Sequence, residues 1–274
     1  TCALPIYCAM IKSHNLKSNG NEKMLKFSKA NAKLQNLVSV DNIKPYLEGK
    51  RKVYSLDLLS GWSCPHAKEC YAKVDNIDGR LKVVDGEHTK FRCFSASQEV
   101  FYTKTYAARK HNFDLLRSLR SIPSMVELIQ KSMPKNTGVV RIHVAGDFFN
   151  RFYFEAWAQI ARDNPDRLFY AYTKSLKFWL DSKYLLPYNL VLTASRGGRL
   201  DDLIDKYAMR EAKVIFSEAE ATGPIDHDDS HAADPTQRNK SFCLLLHGIQ
   251  PAGSNAAVAL RELNGKGSYR RKIG

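Results

Sequence analysis

The chain of 274 residues has no apolar run near the roughly 20 residues that span a bilayer, which predicts a soluble protein without a membrane anchor. It has only six cysteines, too few for a disulfide-stapled secreted scaffold of this length. Close spacing of thiols in such a chain points instead to metal or redox chemistry. There is no P-loop, no GxSxG, no HExxH and no complete GxGxxG, which removes the usual grounds for nucleotide hydrolysis, serine-hydrolase, zinc-protease or dinucleotide chemistry. Zinc-finger, RNP and KH patterns are also missing, as are internal repeats and low-complexity tracts. What is present is an ordinary globular balance, 44% hydrophobic and 26% charged, enough for one large core or two small ones.

Acid is outnumbered by base, giving a formal net charge of +14, and most of the excess sits at the ends. Residues 10–33 carry six Lys against one Glu, and Lys266, Arg270, Arg271 and Lys272 close the chain. Such ends contact nucleic acid through its phosphates or serve only as solubilising tails. The opening "TCALPIYCAM" lacks the basic n-region and small-residue cleavage site of a signal peptide. Its "ALPIY" reads as translated sequencing-adapter sequence, so the native start is expected at Met10 or Met24. The expected organisation is a non-native or disordered basic segment over 1–23, a single α/β domain over 24–265, and a basic tail over 266–274. Cys2 and Cys8 then leave the functional count, and Cys64, Cys70, Cys93 and Cys243 remain.

Along the body, apolar strand patterns alternate with helical ones. "KVYSLDLL" (52–59), "VVRIHVAGDFF" (139–149), "RLFYAYT" (167–173), "YNLVLTAS" (188–195), "AKVIFS" (212–217) and "SFCLLLHG" (241–248) read as six strands. Asn150 is a plausible N-cap for a helix through "FYFEAWAQIAR", whose stripe Phe152, Phe154, Trp157 and Ile160 reads as core. "AARKHNFDLLRSLRS" and "SMVELIQKSM" read as two more helices separated by Pro123, and Leu200, Leu203, Ile204 and Tyr207 share a face of a short one. Continuous apolar strands alternating with helices predict a parallel sheet with helices outside, an open or partial (β/α) barrel of about six strands. The polar stretch 219–240 is the best candidate for a lid or site-forming loop.

In that topology the loops after the strands lie on one face, where βα proteins keep their sites. The first such loop holds "WSCPHAKECYA", with Cys64-x5-Cys70, and Cys93 follows in "FRCFSAS". This spacing is longer than the C-x2-4-C of zinc knuckles. Three thiolates can hold three corners of a [4Fe–4S] cluster, and His66, His88 or His111 could instead complete a Cys3His zinc site. Free thiols are the third reading, and Cys243, inside "FCLLL", reads as a small core residue. After the second strand, Gly146 lets backbone approach a ligand and Asp147 offers an acceptor to a ribose or amine. Arg196, Gly197, Gly198 and Arg199 could hold an anion. His227, Asp228, Asp229, His231 and Asp234 are dense enough to bind a divalent metal or to serve as acid and base, or form a solvated loop.

The phrases "SLDLLSGWSCPHAKECYAKV", "FRCFSASQEVFY", "NFDLLR", "RIHVAGDFFNRFYFEAWAQIARDNPDRLFYAYTKSL" and "DHDDSHA…SFCLLLHGIQPAGS" together resemble the phage gene product 88 domain family over roughly residues 24 to 265. The layout is also distantly similar to radical S-adenosylmethionine enzymes. That likeness implies a radical-SAM-like barrel, Cys64, Cys70 and Cys93 as cluster ligands, and "AGDF" (145–148) where a glycine motif contacts the methionine amine. The usual CxxxCxxC spacing is absent. The expectation is a phage-type iron–sulfur protein in the host cytoplasm, with S-adenosylmethionine as a second cofactor of a divergent enzyme. The alternative is a non-enzymatic zinc- or thiol-stabilised module that binds nucleic acid or a partner protein through its basic ends.

Overall fold

A computed structural model describes residues 24–264. β1 (Phe27–Lys29) pairs antiparallel with β2 (Lys52–Leu56), the first of the expected strands. β3 (Ala72–Ile77) and β4 (Arg80–Asp85) form a separate hairpin that turns at Asp78 and Gly79, both at positive φ (54° and 76°), as a tight Asp-Gly turn requires. From β2 the main sheet continues through β5 (Thr137–Ile142), β6 (Leu168–Thr173), β7 (Leu190–Ser195), β8 (Glu211–Ile215) and β9 (Phe242–Leu245), all parallel. Its order, β1-β2-β5-β6-β7-β8-β9, is sequential, so every parallel crossover steps to the adjacent strand. The chain is thus mixed α/β with a mostly parallel central sheet.

The helices that follow β5, β6, β7 and β9 pack on one face of the sheet, and the short one that follows β8 on the other. α1 is a single turn (Ala32–Gln35) before β2; α2 (Phe94–Phe101), α3 (Thr103–Ser118) and α4 (Ile122–Ser132) lie between the hairpin and β5. Then α5 (Arg151–Asp163), α6 (Leu176–Asp181), α7 (Asp201–Lys206), α8 (Ser230–Ala233) and α9 (Asn255–Glu262) follow the successive strands. Alternate residues divide the sheet. Val140, Ile142, Phe169, Ala171 and Leu192 pack against Met125 and Ile129 of α4 and Phe154, Trp157 and Ile160 of α5. Cys243 and Leu245 meet Ala256 and Ala259 of α9 on the same face, and Cys243 is the core residue expected of it, 1% exposed. On the other face Val53, Val139, Leu168, Tyr170, Val191, Ala212 and Phe242 meet Leu34, Leu37 and Ile43, together with Ala232 and Ala233 of α8. Within the stretch 219–240, Ala232 and Ala233 therefore pack on the second face of the sheet, while Ala221 and Ile225 pack beside Cys243 on the first.

Local chemistry explains the helix ends. Asn150 caps α5 as expected, its Oδ1 accepting from the Tyr153 N–H at 2.8 Å. Pro123 falls in the first turn of α4, where its missing N–H costs nothing, so it begins the helix. One expectation fails: Phe152 is 48% exposed. It stands two positions from Phe154, and helix positions two apart do not share a face. Among the described residues no helix is long and apolar enough to cross a membrane.

Candidate functional site

The loop that carries the first two cysteines leaves β2 at Leu56 and is held from three sides. Ser60 donates both its N–H (3.0 Å) and its hydroxyl (2.8 Å) to Oε1 of Glu99 on α2. Gly61 has φ 69°, and a Cβ there would lie 2.7 Å from the carbonyl of Ala72, so glycine is required. The N–H groups of Lys68 and Glu69 donate to the Gly197 carbonyl (3.3 and 2.9 Å), and Arg199 N–H donates to His66 O (2.8 Å). The Gly-Gly loop after β7 is thus a clamp on the cysteine loop. Its own N–H groups at Gly197 and Gly198 donate to the Asp201 carboxylate (2.8 and 2.9 Å), and Arg196 pairs with Asp205 and Glu211. Where an anion was expected at Arg196, Gly197, Gly198 and Arg199, the two glycines meet Asp201, Arg196 meets Asp205 and Glu211, and the Arg199 N–H holds the cysteine loop.

Cys64, Cys70 and Cys93 are free thiols, each partly accessible. Cys93 occupies the N-cap of α2. The three lie close enough to influence one another: burial pushes the Cys64 thiol well above its ordinary value, and Asp147, Cys93 and Cys70 push it further. Cys93 is pushed up to about 11, first by burial and then by Cys70, against the pull of the Ser95 and Ala96 N–H groups. Cys64 and Cys93 are therefore neutral thiols near pH 7 and not activated nucleophiles. Among the described residues no group of three or more His, Cys, Asp or Glu side chains converges on a position that could hold a metal ion. The histidines considered for a Cys3His site are engaged elsewhere. His66 sits edge-on to Phe178 (5.7 Å), exposed His88 lies beside Glu87, and His111 Nε2 is 2.8 Å from Met24 O.

Gly146 and Asp147 follow β5 but face inward to protein. Gly146 has φ 94°, and a Cβ would meet Ser63 Oγ at 2.6 Å and Leu58 Cβ at 2.8 Å. The glycine lets this turn close on the cysteine loop, not on a ligand. Asp147, 5% exposed, accepts from Thr173 Oγ1 (2.6 Å), Lys174 N–H (2.8 Å) and Phe148 N–H (2.7 Å). Both of its oxygens are spent on protein donors, which overturns the expectation that it meets a ribose or amine.

Beside them His143 is buried at φ 73°, with Nε2 3.0 Å from Tyr153 Oη and its ring packed on Phe148. Burial, and secondarily Arg141, lower its pKa to about 3. Between pH 6.5 and 3 the unfolded chain takes a proton that folded His143 refuses, so stability falls as pH drops through that window. Asp147, pushed up to about 6 by burial, acts oppositely between pH 6 and 3.8, but its shift is the smaller. The variant His143→Asn keeps a residue that tolerates positive φ and removes the titration. Between pH 7 and about pH 4.5 the wild type should lose about 2–3 kcal/mol more than the variant, read from urea midpoints. An equal loss in both would contradict this reading.

The cluster expected over 227–234 does not form. Asp229 turns inward at φ 63° and is fully buried. Its carboxylate pairs with Arg141 Nη1 and accepts from Tyr170 Oη (3.0 Å) and Tyr172 Oη (3.1 Å). Asp228 accepts from Ser230 N–H, and Asp234 accepts from Asn42. His227 is exposed, and His231 leans on Phe242 with Nε2 3.2 Å from Lys240 O. Arg210 fastens the stretch by donating to the carbonyls of His231 and Lys240. These hydrogen bonds tie residues 228–240 down, against the lid expected of the stretch.

A half-open cavity of about 150 Å³ lies where the β6, β7 and β9 ends meet the cysteine segments. Cys70 and Cys93 line it, with Arg92, Arg141, Lys174 and His247 as its ionisable neighbours. The rest of the wall is mostly apolar, including Phe91, Phe94, Tyr172, Val214 and Leu244. Sequence reasoning missed Lys174, which ends a strand without any motif around it. Its Nζ donates to Ser195 Oγ (2.6 Å), Ser195 O (3.0 Å) and Arg196 O (3.1 Å), anchoring the clamp loop. It also missed the Glu99–Arg109 pair behind Cys93, whose Glu99 Oε2 and Arg109 Nε are buried without a hydrogen-bond partner. The two stand on successive helices, ten residues apart, with no motif to link them. The basic ends that carried the nucleic-acid expectation lie mostly outside the described residues.

The sequence profile of the family described as Gene product 88 matches residues 15–262. The chain is 30% identical over 122 residues to the Gene 88 protein of Mycobacterium phage L5, covering 42% of this chain and 44% of that protein. It is 30% identical over 227 residues to the Gene 88 protein of Mycobacterium phage D29, covering 76% of this chain and 81% of that protein. No solved structure matches the chain.

Proposed function

We propose that this chain, which belongs to the Gene product 88 family, is a phage-type iron–sulfur protein whose Cys64, Cys70 and Cys93 hold a [4Fe–4S] cluster. The observation that carries the reading is the gathering of three thiols, from two separate segments, at one end of a parallel sheet and beside a cavity that two of them line. A cluster spreads its cysteines over separate irons, whereas zinc draws its ligands onto one ion. The mutual influence of the three thiols is what supports a shared cluster here. The raised pKa values of Cys64 and Cys93 are no obstacle, because a coordinating metal deprotonates its thiols.

With three protein ligands, such a cluster keeps one iron open to an exogenous ligand. The residues around it have definable tasks. Ser60 and Glu99 fix the start of the loop, Lys174 and Gly197 fix its far side, and Gln250 fixes the approach to Cys93 through Arg92 N–H (2.7 Å) and Arg92 O (3.2 Å). Six parallel strands in sequential order, with most helices on one face, support a partial (β/α) barrel of radical-SAM-like layout. Asp147, at the place where the glycine motif of that layout would lie, accepts from Thr173 and Lys174, and no step is assigned to S-adenosylmethionine.

The test is anaerobic purification followed by a visible spectrum and assays of iron, sulfide and zinc. The reading predicts a broad band near about 400 nm with about four iron and four sulfide per chain. A colourless protein, or one that contains zinc instead, overturns it.

A further inference from the structure

We infer that the cavity beside Cys70 and Cys93 binds a small anion with a flat apolar body, a carboxylate or phosphate on a ring-sized group. The wall carries Arg92, Arg141 and Lys174 and not one Asp or Glu, so a cationic ligand meets only like charge there. The acids that pair with two of these cations, Asp85 with Arg92 and Asp229 with Arg141, stand outside the wall. Arg92 donates Nε at 2.9 Å and Nη2 to Asp85, which holds its guanidinium in place and leaves the Nη1 hydrogens for an anion. Lys174 is held by three neutral oxygens, so its charge reaches the cavity without a bonded carboxylate.

Size and lining set the body of the ligand. An apolar cavity of about 150 Å³ accommodates a benzene-sized group. Phe91, Phe94 and Leu244 supply apolar and aromatic contact for such a ring, and the open side leaves room for its charged substituent. The inference shares this cavity with the cluster proposal but needs no cluster.

The test measures the thermal midpoint of the purified full chain with benzoate, phenyl phosphate, the neutral isostere benzamide, and S-adenosylmethionine. At about ten times its dissociation constant, benzoate or phenyl phosphate should raise the midpoint by about 2–4 °C. Whichever acid acts more strongly identifies the anion, and the shift should shrink with added salt. Benzamide should have no comparable effect. Leu244→Phe, which fills the cavity, should abolish the shift, and Arg92→Gln should weaken binding about tenfold. If Leu244→Phe does not fold, Arg92→Gln still decides. The inference is overturned if benzamide acts as strongly as benzoate, if S-adenosylmethionine alone acts, or if neither acid does. A chain without iron that still takes the acid defeats the cluster proposal and leaves this one standing. A cluster-loaded chain that ignores both acids does the reverse.

Discussion

Replacing any one of Cys64, Cys70 or Cys93 by alanine should abolish cluster binding, whereas Cys243→Ala should leave it intact. On this reading each of the three would supply a corner that neither nearby histidine replaces, since the His66 ring packs on Phe178 and His111 Nε2 lies 2.8 Å from Met24 O. Cys243 is 1% exposed, on the helix-covered side of β9 with Ala256 and Ala259. Its substitution removes only a small core group, at a cost of about 1 kcal/mol. The measurement is iron and sulfide per chain after anaerobic reconstitution, with far-ultraviolet circular dichroism to establish that each variant is folded. Iron should fall from about four per chain to background in the first three variants. Retention of iron by a folded Cys64→Ala, Cys70→Ala or Cys93→Ala protein would remove that residue from the ligand set.

The second large effect is predicted at Asp229. Its carboxylate is fully buried between Arg141, Tyr170 and Tyr172, and Arg141 is itself only 9% exposed. Asp229→Ala deletes the acid partner of a buried guanidinium and the acceptor of two buried hydroxyls. Breaking a buried pair from one side costs about 3–5 kcal/mol, a large part of the whole stability of a typical domain. At about 2–4 °C per kcal/mol, the melting temperature should fall by roughly 6–20 °C. Asp229→Asn keeps an acceptor and a residue that tolerates φ near 63°, so the difference between Asn and Ala separates lost charge from lost hydrogen bonds. A fall of less than about 1 kcal/mol for Asp229→Ala would place this pair with exposed ones and contradict this prediction.

The strands were legible because each is a short apolar run bounded by turn residues, and all six join one sheet in chain order. The α5 cap was legible for the same reason, since Asn150 precedes an amphipathic stretch and its side chain performs the expected bond. The β3–β4 hairpin carried a readable signal as well, Asp78-Gly79 between alternating residues, yet the stretch passes for loop because its strands are charged and largely only part-buried. Cys243 could be separated from the other cysteines by its apolar neighbours alone. What the sequence hid was the fate of polar side chains. Asp147 and Asp229 look like site residues because acids in glycine-rich or histidine-rich loops usually face water, and here each is consumed inside the protein. Their partners, Thr173 and Lys174 for one and Arg141, Tyr170 and Tyr172 for the other, lie far away in sequence. Lys174 and Glu99 were invisible for a related reason: their work is to fix loops that only meet in three dimensions.

The central claim is that three thiolates share one cluster and leave one iron without a protein ligand. Mössbauer spectroscopy of the chain reconstituted anaerobically with iron-57 and sulfide tests it most directly. The account predicts one iron distinct from the other three. Four equivalent irons, or only the signal of unbound ferrous or ferric iron, would contradict it.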